Sequence, residues 1–348
     1  MRERRRSRRS RPAPVQNSAV CGNVLPWEMT SRRDFLRVSG GCVAHVLLSS
    51  ACARAGTRGR WTAPSHPTIS TTPFARLDAI GPDTWAVIST PLGGDRTTFG
   101  NGGIIAGRSG VIAVEGFYRP AGATWLAERA RELTGRWPTH VVLTHYHLDH
   151  TAGVQGYARD GAPLPLLRST DTTRALTLGG GAVAPAKDPW LDRAFADVVL
   201  VDATRTSRID LGNRVVDLIP LRGHTASDLA VVDEDAGITF AGDLLWNGMF
   251  PNFVDAAPSQ LIASMTQLST RAGHAFVPGH GGMADRTSVA RYLDLLGDLK
   301  AHAGRERAAG RSAVEAAAGY HVPASLGEWM AGKTALERAM TAWWREAR

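Results

Sequence analysis

The segment 144–150, with the sequence Thr-His-Tyr-His-Leu-Asp-His, most strongly constrains what this chain can fold into. Three of the 11 histidines of the chain and one aspartate lie in it, directly after the apolar run 141–143. A short buried strand that ends in a dense cluster of imidazole and carboxylate groups is a common support for a metal ion. A polar loop with coincidental histidines is the weaker alternative. The segment therefore predicts a metal site at the end of a strand.

Three later segments offer further metal-binding side chains at the ends of predicted strands. Each places a glycine directly before such a residue: Gly223-His224, Gly242-Asp243 and Gly279-His280. A glycine lets the backbone bend sharply out of a strand, and loops at one rim of a layered fold converge. Taken singly, His224 and His280 could be ordinary loop histidines, and Asp243 could be a helix cap. Their joint occurrence at successive strand ends favours a shared site.

The remaining pattern alternates strand blocks with helices, which predicts an α/β or α+β layered domain. Helices are expected at 121–134 and 259–270, and the chain is expected to be helical from residue 286 to its end, with breaks near Gly304, Gly310 and 319–323. Residues 177–190 are rich in glycine and proline, which favours an irregular insertion and a candidate lid that includes Trp190.

Four regions follow from these patterns. Residues 1–55 are predicted to be a basic extension and leader, 56–72 a linker, 73–285 the main domain, and 286–348 a helical extension packed on the same domain. The linker is inferred from its glycine, proline, serine and threonine content without periodicity.

The order of the motifs, His-x-His-x-Asp-His, Gly-His, Gly-Asp and Pro-Gly-His, resembles the metallo-β-lactamase superfamily over roughly residues 74–282. The resemblance implies a four-layer αββα sandwich with a dinuclear metal site at one rim. It implies that His145, His147 and His224 hold the first metal ion. By the same resemblance, Asp149, His150 and His280 hold the second, and Asp243 bridges the two.

Two positions differ from the common pattern of that superfamily. Glu115 stands where an aspartate usually ends an early strand. Asp243 stands where one group of true β-lactamases has a cysteine, which is closer to the glyoxalase II, lactonase and general hydrolase branches.

The implied chemistry is hydrolysis of a carbonyl compound, which could be a β-lactam, a lactone, a thioester or another ester. A metal-bridging hydroxide would attack the carbonyl, and Asp149 would act as the catalytic carboxylate that orients the nucleophile and passes a proton. Two zinc ions suit imidazole and carboxylate ligands, although iron or manganese would also fit. The alternative is an iron-binding redox protein, or a non-catalytic metal-binding protein, on the same fold.

The expected partner is a small-molecule substrate. Several aromatic residues near the motifs could line its pocket or belong to the core: Phe117, Tyr118, Trp190, Trp246, Phe250 and Phe253. Asn247 or Tyr118 could supply a hydrogen-bond donor to a developing oxyanion.

The net charge of +8 lies entirely in the leader, because residues 1–55 carry 11 arginines and three acidic residues. The remaining residues carry 29 basic and 29 acidic side chains, so no nucleic-acid partner is expected. Residues 30–36, Thr-Ser-Arg-Arg-Asp-Phe-Leu, resemble a twin-arginine export signal. A cleavage site after Ala53 or Ala55 would make the mature protein periplasmic or secreted. Residues 1–28 precede a second possible start at Met29, and we expect them to be an untranslated extension.

All three cysteines lie in this leader, so the mature protein would contain no thiolate metal ligand. Cys52 could instead carry a lipid anchor, although the residues before it match a lipoprotein signal poorly. The apolar run 43–48 is far shorter than the roughly 20 residues that a transmembrane helix needs, so no spanning segment is expected.

Overall fold

The computed structural model describes residues 65–159, 165–179, 195–271, 275–332 and 334–347. All of them belong to the unit Ala55–Arg348. The leader, the first part of the expected linker and most of the expected lid, with Trp190, lie outside the described residues. Within the described ranges, no helix combines the length and the apolar character that crossing a membrane requires.

The first sheet has eight strands that follow one another in sequence order. They are β1 Thr68–Thr71, β2 Ala75–Gly81, β3 Thr84–Ser89, β4 Gly102–Ala106, β5 Val111–Val114, β6 His140–Val142, β7 Leu166–Thr170 and β8 Val199–Val201. Neighbours from β1 to β5 are antiparallel, and neighbours from β5 to β8 are parallel.

The second sheet has five strands in the order β13-β12-β11-β10-β9. They are β9 Ser207–Asp210, β10 Val215–Leu221, β11 Asp228–Asp233, β12 Ile238–Asn247 and β13 Ala275–Gly281. Only the β12–β13 pair is parallel within this sheet, and the connection between these two strands contains a helix.

Seven α-helices are present in the described ranges. They are α1 Pro120–Thr134, α2 Leu148–Thr151, α3 Asp171–Gly179, α4 Pro258–Ser269, α5 Arg286–Ala308, α6 Ala313–Ala318 and α7 Ala335–Glu346. Short 3-10 turns lie at Pro91–Gly93, Val154–Tyr157 and Ala324–Leu326.

Three buried apolar clusters divide the fold into layers. One cluster joins the first sheet to α1 through residues such as Ile104 and Leu126. The middle cluster joins the two sheets, with Val114 and Leu218 among its members. The third joins the second sheet to α4, α5 and α7. Along β5 the buried residues alternate between the first two clusters, as the two-residue period of a strand requires. This arrangement is the αββα sandwich that the resemblance to the metallo-β-lactamase superfamily implies.

The C-terminal helices pack on the second sheet. Tyr292 and Leu296 of α5 are fully buried in the third cluster. Met340 and Trp343 of α7 lie in the same cluster, with Trp344 partly buried against it. The amphipathic spacing of α5 and α7 therefore reflects a buried face rather than a separate domain.

Three boundaries differ from the sequence-based expectations. Strand β1 lies inside the expected linker 56–72. It pairs with β2, and the Thr68 hydroxyl donates a hydrogen bond to Asp78. The sequence did not reveal it because this polar edge strand has no alternation of apolar and polar residues. Helix α5 continues through Gly304 without the expected break, since Leu299 and Ala303 anchor that turn in the core. Residues 177–179 end α3 instead of starting an irregular insertion.

Candidate metal centre

The predicted ligand residues meet at one rim of the two sheets. The segment after β6 carries His145 and His147 and then forms α2, which contains Asp149 and His150. His224 follows β10, and Asp243 and His280 lie in the neighbouring strands β12 and β13. All seven residues are buried, and none is more than 8% exposed.

These residues form two groups whose candidate ligand atoms lie within 4.8 Å of one another. The first group is His145, His147, His224 and Asp243, and the second is Asp149, His150 and His280. The grouping divides the residues as the resemblance implies, with Asp243 at the boundary.

The Asp243 carboxylate points one oxygen atom at each group. Its Oδ2 atom lies 3.2 Å from His224 Nε2 and 3.9 Å from His145 Nε2. Its Oδ1 atom lies 3.2 Å from His150 Nε2 and 3.4 Å from His280 Nε2. A carboxylate in this position can bind two ions at once.

Several of these buried polar atoms have no hydrogen-bonding partner in the described part of the chain. They include His145 Nε2, His150 Nε2 and Asp243 Oδ1. Burying an unpaired polar atom costs roughly 1–3 kcal/mol, so such atoms call for a partner. Imidazole nitrogen and carboxylate oxygen suit zinc, and they also suit iron or manganese. The residues present therefore fit metal ions.

A break in strand pairing brings Asp243 into the site. The parallel pairing of β12 with β13 shifts register on both sides of Gly242. Gly242 has φ +51°, in the left-handed region where a glycine is favoured. A β-carbon there would also approach Thr144 Oγ1 within 2.7 Å. The bulge thus requires a glycine directly before the bridging carboxylate.

The two groups differ in their electrostatic setting. Burial lowers the pKa of His224 to about 3 and holds the pKa of His145 well below its usual range, which keeps both rings neutral. For His280, burial is outweighed by Asp243 and Asp149, which raise its pKa to about 9. For His150, burial is outweighed by Glu115, Asp243 and Asp149, which raise its pKa. A metal ion at the second group would compete with these protons.

Glu115 lies directly behind His150. Its Oε1 atom is 3.1 Å from His150 Nδ1 and accepts a hydrogen bond of 2.5 Å from the Thr144 hydroxyl. The residue is buried and has φ +82°, and its carbonyl accepts a hydrogen bond from Tyr157. A buried carboxylate in this place can fix the ring of His150 with Nε2 facing the site. The longer side chain of glutamate thus reaches the ring from a left-handed backbone position.

We expect the Glu115→Gln variant to bind the second metal ion roughly 10–100-fold more weakly, in the range for partners that orient a metal-binding histidine. The amide retains the size of the side chain but removes the charge that faces His150. Competitive titration of zinc against a chromophoric chelator measures the change. Unchanged affinity of both sites would contradict this role for Glu115.

Two supporting carboxylates were not identified from the sequence. Asp228, at the start of β11, accepts hydrogen bonds from the backbone of His224 and Thr225 and from the Thr225 hydroxyl. Asp255 lies 3.1 Å from His147 Nε2 and accepts from the Tyr146 hydroxyl. The His-Thr-x-x-Asp spacing is a usable sign for Asp228. Asp255 has no local motif.

Most of the aromatic candidates belong to the core. Phe117, Phe250 and Phe253 are buried in apolar clusters. Trp246 does reach the site, because its ring stacks on His280 with centroids 4.1 Å apart. The prediction that Asn247 could serve as an oxyanion donor is wrong, since its amide nitrogen donates to the carbonyls of Gly282 and Met283.

Comparison with known proteins agrees with this architecture. Residues 98–301 match the family described as the metallo-beta-lactamase superfamily. A hydroxyacylglutathione hydrolase from Rhodobacter capsulatus is 29% identical over 196 residues, which covers 50% of this chain and 68% of that protein. The human acyl-coenzyme A thioesterase MBLAC2 is 30% identical over 128 residues, covering 34% of this chain and 46% of that protein.

Solved structures show the same fold. The metallo-beta-lactamase FIM-1 from Pseudomonas aeruginosa, in its mono-zinc form, is similar with a TM-score of 0.51 and 18% identity. The similarity covers 64% of this chain and 95% of that one. Since the family match spans more than half of the sequence, the chain belongs to the metallo-beta-lactamase superfamily and is a metal-dependent hydrolase of that superfamily.

Proposed function

We propose that the chain is a dinuclear hydrolase that cleaves thioesters. The observation that supports two metal ions is the Asp243 carboxylate, which turns one oxygen atom to each of two groups of buried histidines. In this proposal the first group of residues and the second group each hold one zinc ion, with iron or manganese as possible replacements.

The choice of thioesters rests on the relatives. The two curated relatives described above are named as a hydrolase of hydroxyacylglutathione and a thioesterase of acyl-coenzyme A, so a thiol carries the acyl group in both. Asp243 stands where one group of true β-lactamases has a cysteine ligand. This aspartate favours the glyoxalase II, lactonase and general hydrolase branches over that group. A sulfur leaving group needs no general acid, because a thiol with a pKa near 8.5 leaves readily as a thiolate.

The metal ions, when held by these two groups of residues, would supply Lewis acidity toward the substrate carbonyl and toward a water molecule. Asp149 provides the carboxylate for the accompanying proton transfer, with Oδ2 placed 3.1 Å from His280 Nε2. Burial alone would raise its pKa, but His150 and His280 outweigh burial and bring it to about 2. An ionised Asp149 can accept a hydrogen bond from the attacking water and later release the proton.

An aromatic rim beside His280 supplies a surface for the rest of the substrate. Phe99 meets the His280 ring edge-on, with centroids 5.8 Å apart, and Tyr118 meets Phe99 at 6.0 Å. The Arg96 guanidinium lies 5.5 Å from the centre of the Phe99 ring. An apolar surface next to a cation suits the acyl and anionic parts of an acylated thiol cofactor.

The test is a turnover assay with the full chain loaded with zinc. The panel contains a hydroxyacylglutathione, an acyl-coenzyme A, an acyl lactone and a chromogenic cephalosporin, and the His147→Ala variant is the control. We expect thioester turnover that is lost in the variant, with two zinc ions per chain by elemental analysis. Turnover of the lactone or cephalosporin alone would contradict the thioester proposal. A visible absorption band from iron in the chain as purified, without hydrolysis of any substrate of the panel, would support the redox alternative.

We also propose that residues 1–55 direct export through the twin-arginine pathway, which the Arg32-Arg33 pair and the following apolar run support. Cell fractionation of the Arg32→Lys/Arg33→Lys double variant tests this localisation. Equal periplasmic or secreted amounts of variant and wild type would contradict the proposal. Cys52→Ser tests the lipid anchor at the same time, because a lipidated protein would lose its membrane association.

A further inference from the structure

His147 is held from behind by a carboxylate that comes from a distant part of the chain. Its Nδ1 atom lies 3.0 Å from His224 Nε2 and so faces the first group. Its Nε2 atom lies 3.1 Å from Asp255 Oδ2, and since a carboxylate only accepts, the ring donates this hydrogen bond. The same oxygen accepts from the Tyr146 hydroxyl at 2.8 Å. These two bonds select the tautomer of His147 that offers Nδ1 to a metal ion.

Asp255 sits in an irregular connection, which cannot fix its position by itself. The connection spans residues 248–257, between the end of β12 and the start of α4. The Asp255 side chain is 33% exposed, so burial alone does not lock it. Contacts from other parts of the chain to this segment must therefore fix the position of the Asp255 carboxylate.

The C-terminal helix α7 supplies contacts on both sides of Asp255. The Arg345 guanidinium donates to the carbonyl of Val254 at 3.2 Å and to the carbonyl of Ala256 at 2.6 Å. The neighbouring Glu346 accepts from the backbone nitrogen of Ser259, in the first turn of α4. One planar group thus holds the residues directly before and after Asp255 in a fixed geometry.

A second contact holds the beginning of the same connection. Phe250 donates its backbone N–H to the carbonyl of Met330 at 2.8 Å, and Met330 donates to the carbonyl of Gly248 at 3.0 Å. Met330 precedes α7, so the C-terminal region holds the connection at both ends. Helix α7 is itself fixed, since Met340 and Trp343 are buried in the third cluster.

We infer that Asp255 is a positioning residue for His147, and that helix α7 supports the first metal site by holding Asp255 through Arg345. The inference rests on the proposed dinuclear site. It assigns to the C-terminal helical extension a part in metal affinity that packing alone would not require.

The experiment measures zinc affinity of the full chain by competition with a chromophoric chelator. The variants are Asp255→Asn, Arg345→Ala, the double variant, and Arg307→Ala as a matched control. Arg307 also contacts the end of α7, through the carbonyl of Ala347. Within the described residues, no hydrogen bond or ion pair joins it to the segment that carries Asp255. Thermal unfolding by circular dichroism confirms that each variant is folded.

We expect Asp255→Asn to weaken zinc binding at one site roughly 10–100-fold, as found for partners of metal-binding histidines. Arg345→Ala should weaken zinc binding by a smaller but measurable factor, up to about tenfold, because the segment keeps its other contacts. The double variant should bind about as weakly as Asp255→Asn alone, since the two residues act through one contact. A changed visible spectrum of the cobalt-substituted variants would report the altered His147 geometry, and Arg307→Ala should leave both readouts unchanged.

Three results would overturn the inference. They are wild-type zinc affinity in either single variant, additive losses in the double variant, and an equal loss in Arg307→Ala, which would indicate general loosening of α7. A wild-type chain that binds no zinc would contradict the proposed function itself. This failure is told apart from failure of the inference because it is seen in the wild-type chain, before any variant is compared.

Discussion

The Asp243→Ala variant is expected to lose hydrolytic activity by on the order of a thousandfold or more and to retain at most one metal ion per chain. The reason is that its carboxylate is the only group shared by both predicted metal-binding groups in the described part of the chain. Lowering the pKa of a water molecule from 15.7 to about 7 is the main contribution of bound metal to such chemistry. Elemental analysis and kcat/KM on the best substrate of the panel measure the two effects.

The matched control for this variant is Asp233→Ala. Asp233 is also a fully buried aspartate of the second sheet, but it lies at the opposite end of β11 from the site and pairs with Arg214 at 3.1 Å. Its loss should reduce the free energy of unfolding, because the partly buried Arg214 guanidinium loses the carboxylate that it pairs with. It should leave the metal content unchanged. Two metal ions per chain and nearly full activity in Asp243→Ala would show that another residue bridges the site.

The candidate site could be predicted from the sequence because its chemistry is concentrated in short motifs. His145, His147, Asp149 and His150 follow one strand within six positions, so their proximity is dictated by local geometry. The glycine before His224 lies just after β10, but Gly242 and Gly279 lie within β12 and β13, so the expected strand ends at Asp243 and His280 were wrong. At Gly242 a bulge inside the strand makes the bend. The layered α/β class was predictable because buried strands and amphipathic helices have different apolar periods. The αββα order of the layers was implied only by the resemblance to the family.

The supporting residues could not be predicted, because their contacts are made only by the folded chain. Asp255 is 108 positions from His147 and no periodic or motif pattern links the two. Its placement depends on Arg345, which is 89 positions further along the chain than Ala256. Glu115 stands out in the sequence only as a departure from a family pattern, and nothing there indicates its left-handed backbone conformation. Tertiary contacts of this kind leave no local trace in a single sequence.

The Gly279→Ala variant is expected to reduce activity roughly 100-fold by displacing the bridging carboxylate, although glycine itself binds no metal ion. A β-carbon at this position would lie 1.9 Å from Asp243 Oδ1 and 2.8 Å from the backbone nitrogen of Asp243. The close approach to the backbone means that a rotation of the Asp243 side chain cannot relieve the clash. Strands β12 and β13 would have to separate at the point where the bridging carboxylate is held.

The opposite side of β13 is held by Asn101, so the strand cannot simply move away. The side-chain amide of Asn101 donates to the carbonyls of Pro278 and Gly281 at 2.9 Å, and its backbone nitrogen donates to the Gly279 carbonyl at 2.7 Å. Overpacking of this kind costs about 1–3 kcal/mol of folding free energy. A displacement of about 1 Å at a catalytic group can reduce the rate roughly 100-fold.

Gly297→Ala provides the control, because this glycine lies on the exposed side of α5 and a β-carbon added there would have nothing within 4 Å. Alanine there should raise the free energy of unfolding by about 0.5–1 kcal/mol and leave activity unchanged, since alanine has the higher helix propensity. Denaturant unfolding, zinc content and kcat/KM are measured on both variants. A loss of zinc and activity in Gly279→Ala alone is due to the steric clash with Asp243 and not to the added methyl group as such. If Gly279→Ala kept two metal ions and wild-type turnover, the close packing of β13 against Asp243 would not be needed to hold the bridging carboxylate, and the bulge at Gly242 alone would have to account for its position.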